Sequence, residues 1–391
     1  MSTATPRPSL NRIALTILAW FGICLFGSCG AAWPTDLTEE LQYFRLKIDG
    51  HTVRLQGMTV KRSDVHDKLP IALITHGKAP NLASMLDLQP GQFVGIARDL
   101  ARRGWLAVIV LRRGFGQSDG PIARTVTCAT SSFLDRFSAD ADDLQATLDL
   151  VAQRPDADGT RAIAIGVSAG GPAVLSLAAH NPKNLLGVIN ISGGLRLETC
   201  PKEDALVAAF REFGARSRVP SLWLYAKNDT LFSPSLVNRM QDAFLDGGGD
   251  VKLVMYDSFG SEGHHLFGSG RTLWLMELDA FLRFRKLPTW QLREANELMY
   301  KLEAKSRDLV ERYLAAPSEK AIARSSKKYD LRVAWGFASV ELASARALDV
   351  CAKHNPEEQC TIVMENDQWI GKPVANPSLP TLPLVGQYGG P

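Results

Sequence analysis

A short apolar run, Arg161-Ala162-Ile163-Ala164-Ile165, leads directly into Gly166-Val167-Ser168-Ala169-Gly170, and a helix-forming stretch follows from Gly171 to His180. The run reads as a buried strand. The five residues after it must therefore turn the chain from strand to helix in one step. Such a turn strains the backbone at its centre, where bulky neighbours would clash and glycine removes the offending Cβ. In that setting G-x-S-x-G stands the Ser168 hydroxyl at the end of a strand and leaves the Ala169 N–H free to face a negative charge. Taken alone, the pentapeptide reads equally as an ordinary glycine-rich turn, so the decision rests on residues elsewhere in the chain.

The same strand-then-helix rhythm recurs. Residues 43–60 alternate apolar and polar (Phe44, Leu46, Ile48, then Val53, Leu55, Met58, Val60), which predicts antiparallel strands opening a sheet. Buried strands are expected at Ile71–Thr75, Trp105–Leu111, Ile163–Val167, Leu185–Ile191, Ser221–Ala226 and Val251–Tyr256. Helices are expected at Gln92–Arg103, Asp140–Val151, Ser233–Leu245 and Arg271–Lys286. Strands alternating with helices imply an α/β architecture, a mainly parallel sheet covered on both faces. Ligands then sit beyond the carboxyl ends of the strands.

The chain has 391 residues, 46% hydrophobic and 22% charged, which is globular rather than disordered composition. Its net charge is +3, and Arg7 and Arg12 of that balance lie in the first segment, so the rest is about neutral. Nothing in this balance points to nucleic acid. Residues 1–32 read as a secretory signal: Arg7 and Arg12 give a positive start, Ile13 to Phe26 an apolar core short for a bilayer, and Gly27 to Ala32 a small-residue end. Two endings compete. Cleavage after Ala32 releases a soluble protein, whereas Leu25-Phe26-Gly27-Ser28-Cys29 resembles a bacterial lipobox with Cys29 lipidated, which would be the chain's one link to a membrane. A retained signal anchor is the third outcome. Of six cysteines, Cys24 and Cys29 fall in this leader. The remaining four, Cys128, Cys200, Cys351 and Cys360, suggest two disulfides in an exported chain. Three pairings exist; Cys128–Cys200 and Cys351–Cys360 are expected because each pair falls within one domain.

A serine hydroxyl needs a base to take its proton and a third group to orient that base. The acid candidate is Asp229, just past the strand that ends at Ala226; the alternative is a turn aspartate, and Asp257 is its rival. The base candidate is His264, in Gly260-Ser261-Glu262-Gly263-His264-His265-Leu266-Phe267. His264 is preferred over His265 because it follows small residues and leaves Leu266 and Phe267 to pack below. An oxyanion needs two N–H donors. Ala169 offers one. The loop His76-Gly77-Lys78 after the first parallel strand offers the other, at Lys78 or, next to it, Gly77. His76 itself reads as support for that loop. Arg112 to Gly120 reads as a glycine-rich turn beneath the site, since no dinucleotide fingerprint follows.

These residues resemble the α/β-hydrolase superfamily, and within it the dienelactone-hydrolase-related group. The resemblance covers Phe44 to Leu287. It rests on His76-Gly77, Arg113-Gly114-Phe115-Gly116-Gln117-Ser118, Gly166-Val167-Ser168-Ala169-Gly170, Asp229 and Gly263-His264. Founding members use a cysteine nucleophile; Ser168 here implies ordinary ester or peptide-like acyl transfer to water.

The expected organisation is a catalytic domain over 40–287, an amphipathic helical linker over 288–332, a small α+β module over 333–371 and a disordered tail over 372–391. The module resembles small disulfide-bearing domains of exported bacterial proteins. The reading is an exported serine hydrolase acting on small-molecule esters, without metal or cofactor. The alternatives are a peptidase acting on small peptides and a non-catalytic envelope-binding protein on a hydrolase scaffold. Residues 193–220 leave no room for a large lid, and the loops Ala79–Gln89, Pro121–Phe137 and Gly193–Glu212 carry no pattern diagnostic of a substrate. A Cys128–Cys200 bond would tie down the pocket rim and contribute about 2–4 kcal/mol. A Cys128→Ser, Cys200→Ser double variant is expected to melt lower and lose activity; unchanged melting and activity would overturn this role.

Overall fold

Alternation works as expected in the first strand. In β1 (Leu37–Ile48), Phe44, Leu46 and Ile48 turn inward, while Leu41, Tyr43, Arg45 and Lys47 face solvent. It pairs antiparallel with β2 (His51–Arg62) along its whole length. In β3 (Leu69–Thr75), β4 (Leu106–Val110) and β7 (Ser221–Ala226) every residue is buried, as a sheet covered on both faces requires. With β5 (Ala157–Val167), β6 (Leu185–Ile191) and β8 (Val251–Tyr256) they form an eight-stranded sheet in the order β1-β2-β4-β3-β5-β6-β7-β8. From β4 onward all neighbours are parallel. This computed structural model describes residues 36–48, 50–121, 126–200 and 203–370. The leader with Cys29 and both cleavage endings, and the 372–391 tail, lie outside the described residues.

Two apolar cores form, one on each face of the sheet. On one, α3 (Thr130–Val151), α4 (Gly170–Ala179), α5 (Asp204–Arg216) and α6 (Pro234–Asp246) bring Phe137, Leu144, Phe210, Phe213 and Phe244 against Trp223 and its neighbours. On the other, α2 (Val94–Arg102) and α8 (Arg271–Phe284) pack Leu100, Trp274, Leu278 and Phe281 onto Ile74, Ile163 and Leu222. Two short helices, α1 (Leu82–Leu86) and α7 (Leu266–Ser269), lie in loops at the carboxyl ends of the strands.

Several segments differ from the sequence reading. The loops expected at Ala79–Gln89, Pro121–Phe137 and Gly193–Glu212 contain α1, the first two turns of α3 and most of α5. In α5 the buried residues Leu206, Ala209, Phe210 and Phe213 recur at helical spacing. The amphipathic helical linker expected over 288–332 holds two helices rather than one continuous one, α9 (Leu292–Leu302) and α10 (Arg307–Ala315). Glu303 breaks it with a left-handed φ of 55°, and the Ser306 hydroxyl accepts from the Leu309 N–H to start the second helix. A second sheet begins inside the expected linker: β9 (Ala321–Ser325) joins β10 (Leu331–Ala334), β11 (Cys360–Glu365) and β12 (Gln368–Trp369) in the order β10-β9-β11-β12. Helix α11 (Val340–His354) covers it through Ala343, Ala347 and Cys351. Both expected disulfides are present, with Cα–Cα distances of 5.4 Å for Cys128–Cys200 and 6.1 Å for Cys351–Cys360.

Buried polar bonds fasten this C-terminal part to the main sheet. Asp279 on α8, fully buried, accepts from Arg103 Nε and Nη2 at 2.6 and 2.9 Å, Thr289 Oγ1 at 2.5 Å and Trp290 Nε1 at 2.9 Å. Arg103 also donates to the Ala315 carbonyl at 3.0 Å, and Asp99 accepts from the Ser318 N–H at 2.6 Å. Removing one member of a buried pair strands the other, at about 3–5 kcal/mol. Asp279→Ala is therefore expected to lose about that much in urea unfolding, and Asp279→Asn less; an Asp279→Ala protein as stable as the parent would remove the hub's role.

Candidate active site

The turn after β5 is as strained as the sequence implies. Ser168 has φ 52°, a left-handed value for a residue with a Cβ. Three backbone bonds hold it: the Ser168 N–H donates to Ile191 O at 3.0 Å, and Ser168 O accepts from Gly171 N at 2.9 Å and Gly194 N at 3.1 Å. The glycines are obligatory for space. A Cβ on Gly166 would lie 2.0 Å from Gly170 O, and one on Gly170 would lie 2.5 Å from His76 O.

His264 arrives from the loop after β8. Its Nε2 lies 3.2 Å from Ser168 Oγ and its Nδ1 3.1 Å from Asp229 Oδ2. Asp229 is buried, and its other oxygen accepts from the N–H groups of Leu231 and Phe232, both at 2.9 Å, so the carboxylate is fixed before it meets the imidazole. The histidine loop is clamped in turn. Asn228 donates to Phe259 O and Gly260 O and accepts from Phe259 N. Glu262 accepts from the His264 N–H at 2.9 Å and the Thr230 hydroxyl at 2.6 Å. That hydroxyl bond is the largest of the effects that hold the Glu262 carboxyl down at about 2. Gly263 must be glycine, since a Cβ there would sit 2.5 Å from Asp229 N. Of the rivals, Asp257 is exposed and paired with Lys227 at 2.6 Å, and His265 faces solvent.

Sequence reasoning missed Asn228, Glu262 and Phe232, whose ring packs 5.6 Å from that of His264. Only their nearness to Asp229 and Gly263 in the chain pointed to them. Of the two residues expected to pack below the histidine, Leu266 is fully buried, and Phe267 is half-buried and stacks on Trp274 at 6.1 Å.

The loop after β3 lies against Ser168. A Cβ on Gly77 would come within 2.8 Å of Ser168 Cβ and 3.4 Å of its Oγ. Among the described residues, neither the Lys78 nor the Ala169 N–H has a hydrogen-bond acceptor. His76, Gly77 and Lys78 line a cleft of about 450 Å³ with Ser84, Asp87 and Phe93. Beneath it His76 is buried, and burial first, then the Arg112 guanidinium, holds its pKa well below 6.5. The turn at Arg112–Gly120 is tied by Ser118 Oγ donating to Leu111 O at 2.7 Å and by Arg113 N donating to Asp143 at 2.8 Å. Burial pushes the Asp143 carboxyl up to about 6. Among the described residues no cluster of three or more His, Cys, Asp or Glu is placed to hold a metal.

Residues 89–215 match the family model for serine aminopeptidase, S33. That stretch includes the Ser168 turn but neither Asp229 nor His264. Among solved structures the chain is similar to one assigned as a dienelactone hydrolase from Klebsiella pneumoniae subsp. pneumoniae, at 19% identity over 64% of this chain and 99% of that one, with a TM-score of 0.44. It is similar to an esterase from Pyrococcus furiosus (14% identity, 62% and 92% covered, TM-score 0.45). It is also similar to an acylaminoacyl peptidase from Pyrococcus horikoshii (16%, 63% and 42%, TM-score 0.46). The strand order and the family match together define the class: this chain carries the α/β-hydrolase fold, with a small disulfide-bearing β module at its C-terminal end.

The state of His76 gives a pH signature. The unfolded chain takes up a proton at His76 near 6.5, while the folded chain holds the ring neutral well below that. Below pH 6.5 the unfolded state therefore binds more protons, and this contribution to stability is lost as pH falls. Denaturant unfolding between pH 7.5 and 5, compared with a His76→Asn variant, is expected to show the steeper loss in the parent. Parallel curves would mean His76 titrates normally when folded.

Proposed function

We propose that this protein is an exported serine hydrolase that cleaves carboxylic esters of small molecules through an acyl-enzyme. The observation that carries the reading is the unbroken chain from Asp229 Oδ2 through both nitrogens of His264 to Ser168 Oγ. In this reading Ser168 Oγ attacks the ester carbonyl as His264 Nε2 accepts its proton. Asp229 steadies the resulting imidazolium, and the N–H groups of Ala169 and Lys78 receive the oxyanion. His264 then protonates the leaving alcohol. Water enters, loses its proton to His264 and releases the acid from Ser168. The leader-like residues 1–32 and the two disulfides support export, and among the described residues no helix is long and apolar enough to cross a membrane.

The family match supports a second reading, a peptidase acting on short peptides. Hydrolysis of short-chain p-nitrophenyl esters beside aminoacyl-p-nitroanilides separates the two. The parent is expected to cleave the esters, and Ser168→Ala to lose about 10⁴–10⁶-fold in kcat. Anilide cleavage without ester cleavage would shift the assignment to the peptidase. No turnover of either, together with no labelling of Ser168 by a fluorophosphonate, would leave a binding protein.

A further inference from the structure

Beneath the cleft lies a buried guanidinium that the reaction above does not use. Arg112 is fully buried at the end of β4. Its Nη1 donates to Thr75 Oγ1 at 2.6 Å and to the His76 carbonyl at 2.7 Å. Its backbone N–H donates to His76 Nε2 at 3.0 Å. Asp140 on α3, also buried, faces its Nε at 3.3 Å, while Nη2 has no hydrogen-bond partner among the described residues. Burying a charged pair this incompletely satisfied adds little stability over apolar side chains of the same size. What it does supply is direction.

The direction can be followed atom by atom. Because the Arg112 N–H donates to His76 Nε2, that nitrogen carries no proton, and the ring's hydrogen must sit on Nδ1. Nδ1 lies 2.8 Å from Gly77 O, so it donates there. Gly77 O belongs to the peptide that ends in the Lys78 N–H. In a trans peptide the carbonyl and the N–H point in opposite directions. A buried ring that draws the Gly77 carbonyl down beneath the loop therefore turns the Lys78 N–H the other way, toward the cleft that Lys78 lines. The Phe115 ring, 4.2 Å from that of His76, blocks the imidazole from tilting away.

We propose that His76 and Arg112, backed by Asp140, are positioning residues that set the oxyanion donor at Lys78: Arg112 fixes the tautomer and place of His76, and His76 fixes the rotation of the Gly77–Lys78 peptide. This rests on the serine-hydrolase reading. The contribution is made to the transition state and not to substrate binding, so it falls on kcat and leaves KM alone.

The test uses the full-length mature protein and the ester the parent cleaves best. His76→Phe keeps the aromatic packing and removes the donor to Gly77 O; kcat is expected to fall about 100-fold, the scale of a misplaced or lost oxyanion donor, with KM within threefold. His76→Asn can place its amide N–H where Nδ1 stood and is expected to recover most of that loss. The double variant Arg112→Met, Asp140→Leu removes the two buried charges together, at the cost of the 3.1 Å contact that Asp140 also makes with Arg136; judged per titrated site, it is expected to match His76→Phe in kcat. In each, affinity for an alkyl boronic acid, which forms a tetrahedral adduct on the serine, should fall by the same factor as kcat/KM. Active-site titration with a fluorophosphonate corrects for inactive protein. Full kcat per titrated site in His76→Phe or in the double variant, or a loss confined to KM, overturns the proposal while leaving the esterase reading intact. No rescue by His76→Asn overturns the Nδ1 route. A parent that cleaves no ester and takes no fluorophosphonate sinks both.

Discussion

Everything around the site follows from one backbone angle. Ser168 is held at φ 52°, a conformation that costs about 1–3 kcal/mol for a residue with a side chain. The three bonds from Ile191, Gly171 and Gly194 hold it there, and the tight turn they enforce leaves no space for a Cβ at 166 or 170. The absence of those carbons lets the end of β3 press against the start of α4, so that the His76 carbonyl sits where a side chain on Gly170 would have been. The Ser168 turn and the His76–Lys78 loop are thus parts of one packing solution. Neither could be moved without repacking the other.

Buried charge is used in two places. Around Arg103, Asp279 and Lys320 it fastens the C-terminal helices and small sheet. Lys320 Nζ donates to the carbonyls of Tyr313 and Leu314 at 2.9 and 3.0 Å, filling acceptors left open where α10 ends. Around Arg112, Asp140 and Asp143 it lies directly below the cleft. The first cluster satisfies most of its donors and acceptors. The second leaves Arg112 Nη2 without a hydrogen bond among the described residues, which is the arrangement expected where orientation matters more than stability.

The sheet was legible because parallel strands buried on both faces show as unbroken apolar runs. Ile71–Thr75 and Ser221–Ala226 are such runs. Ser168, Asp229 and His264 were legible because each follows its own strand after a small-residue or turn signal. Asn228 and Glu262 were not, because one side chain oxygen clamping a loop leaves no periodic trace. The helix α5 was hidden by its approach, Gly193-Gly194 and Pro201, although its own stripe of Leu206, Phe210 and Phe213 is helical. Strand β9 was hidden because Ala321-Ile322-Ala323 is short and only its pairing with β10 and β11 makes it a strand. The hydrogen bond from the Arg112 N–H to His76 Nε2 was beyond reach from sequence, since it joins the ends of two strands 36 residues apart.

The Cys128–Cys200 bond spans 72 positions, and β5, the Ser168 turn, α4 and β6 all lie between its ends. The serine is therefore carried on a closed covalent ring. A single cut anywhere in that ring opens it into a linear branch but frees no fragment, so a nicked molecule keeps its mass until it meets a reductant. One cut between Cys128 and Cys200 therefore leaves Ser168 covalently joined to Asp229 and His264.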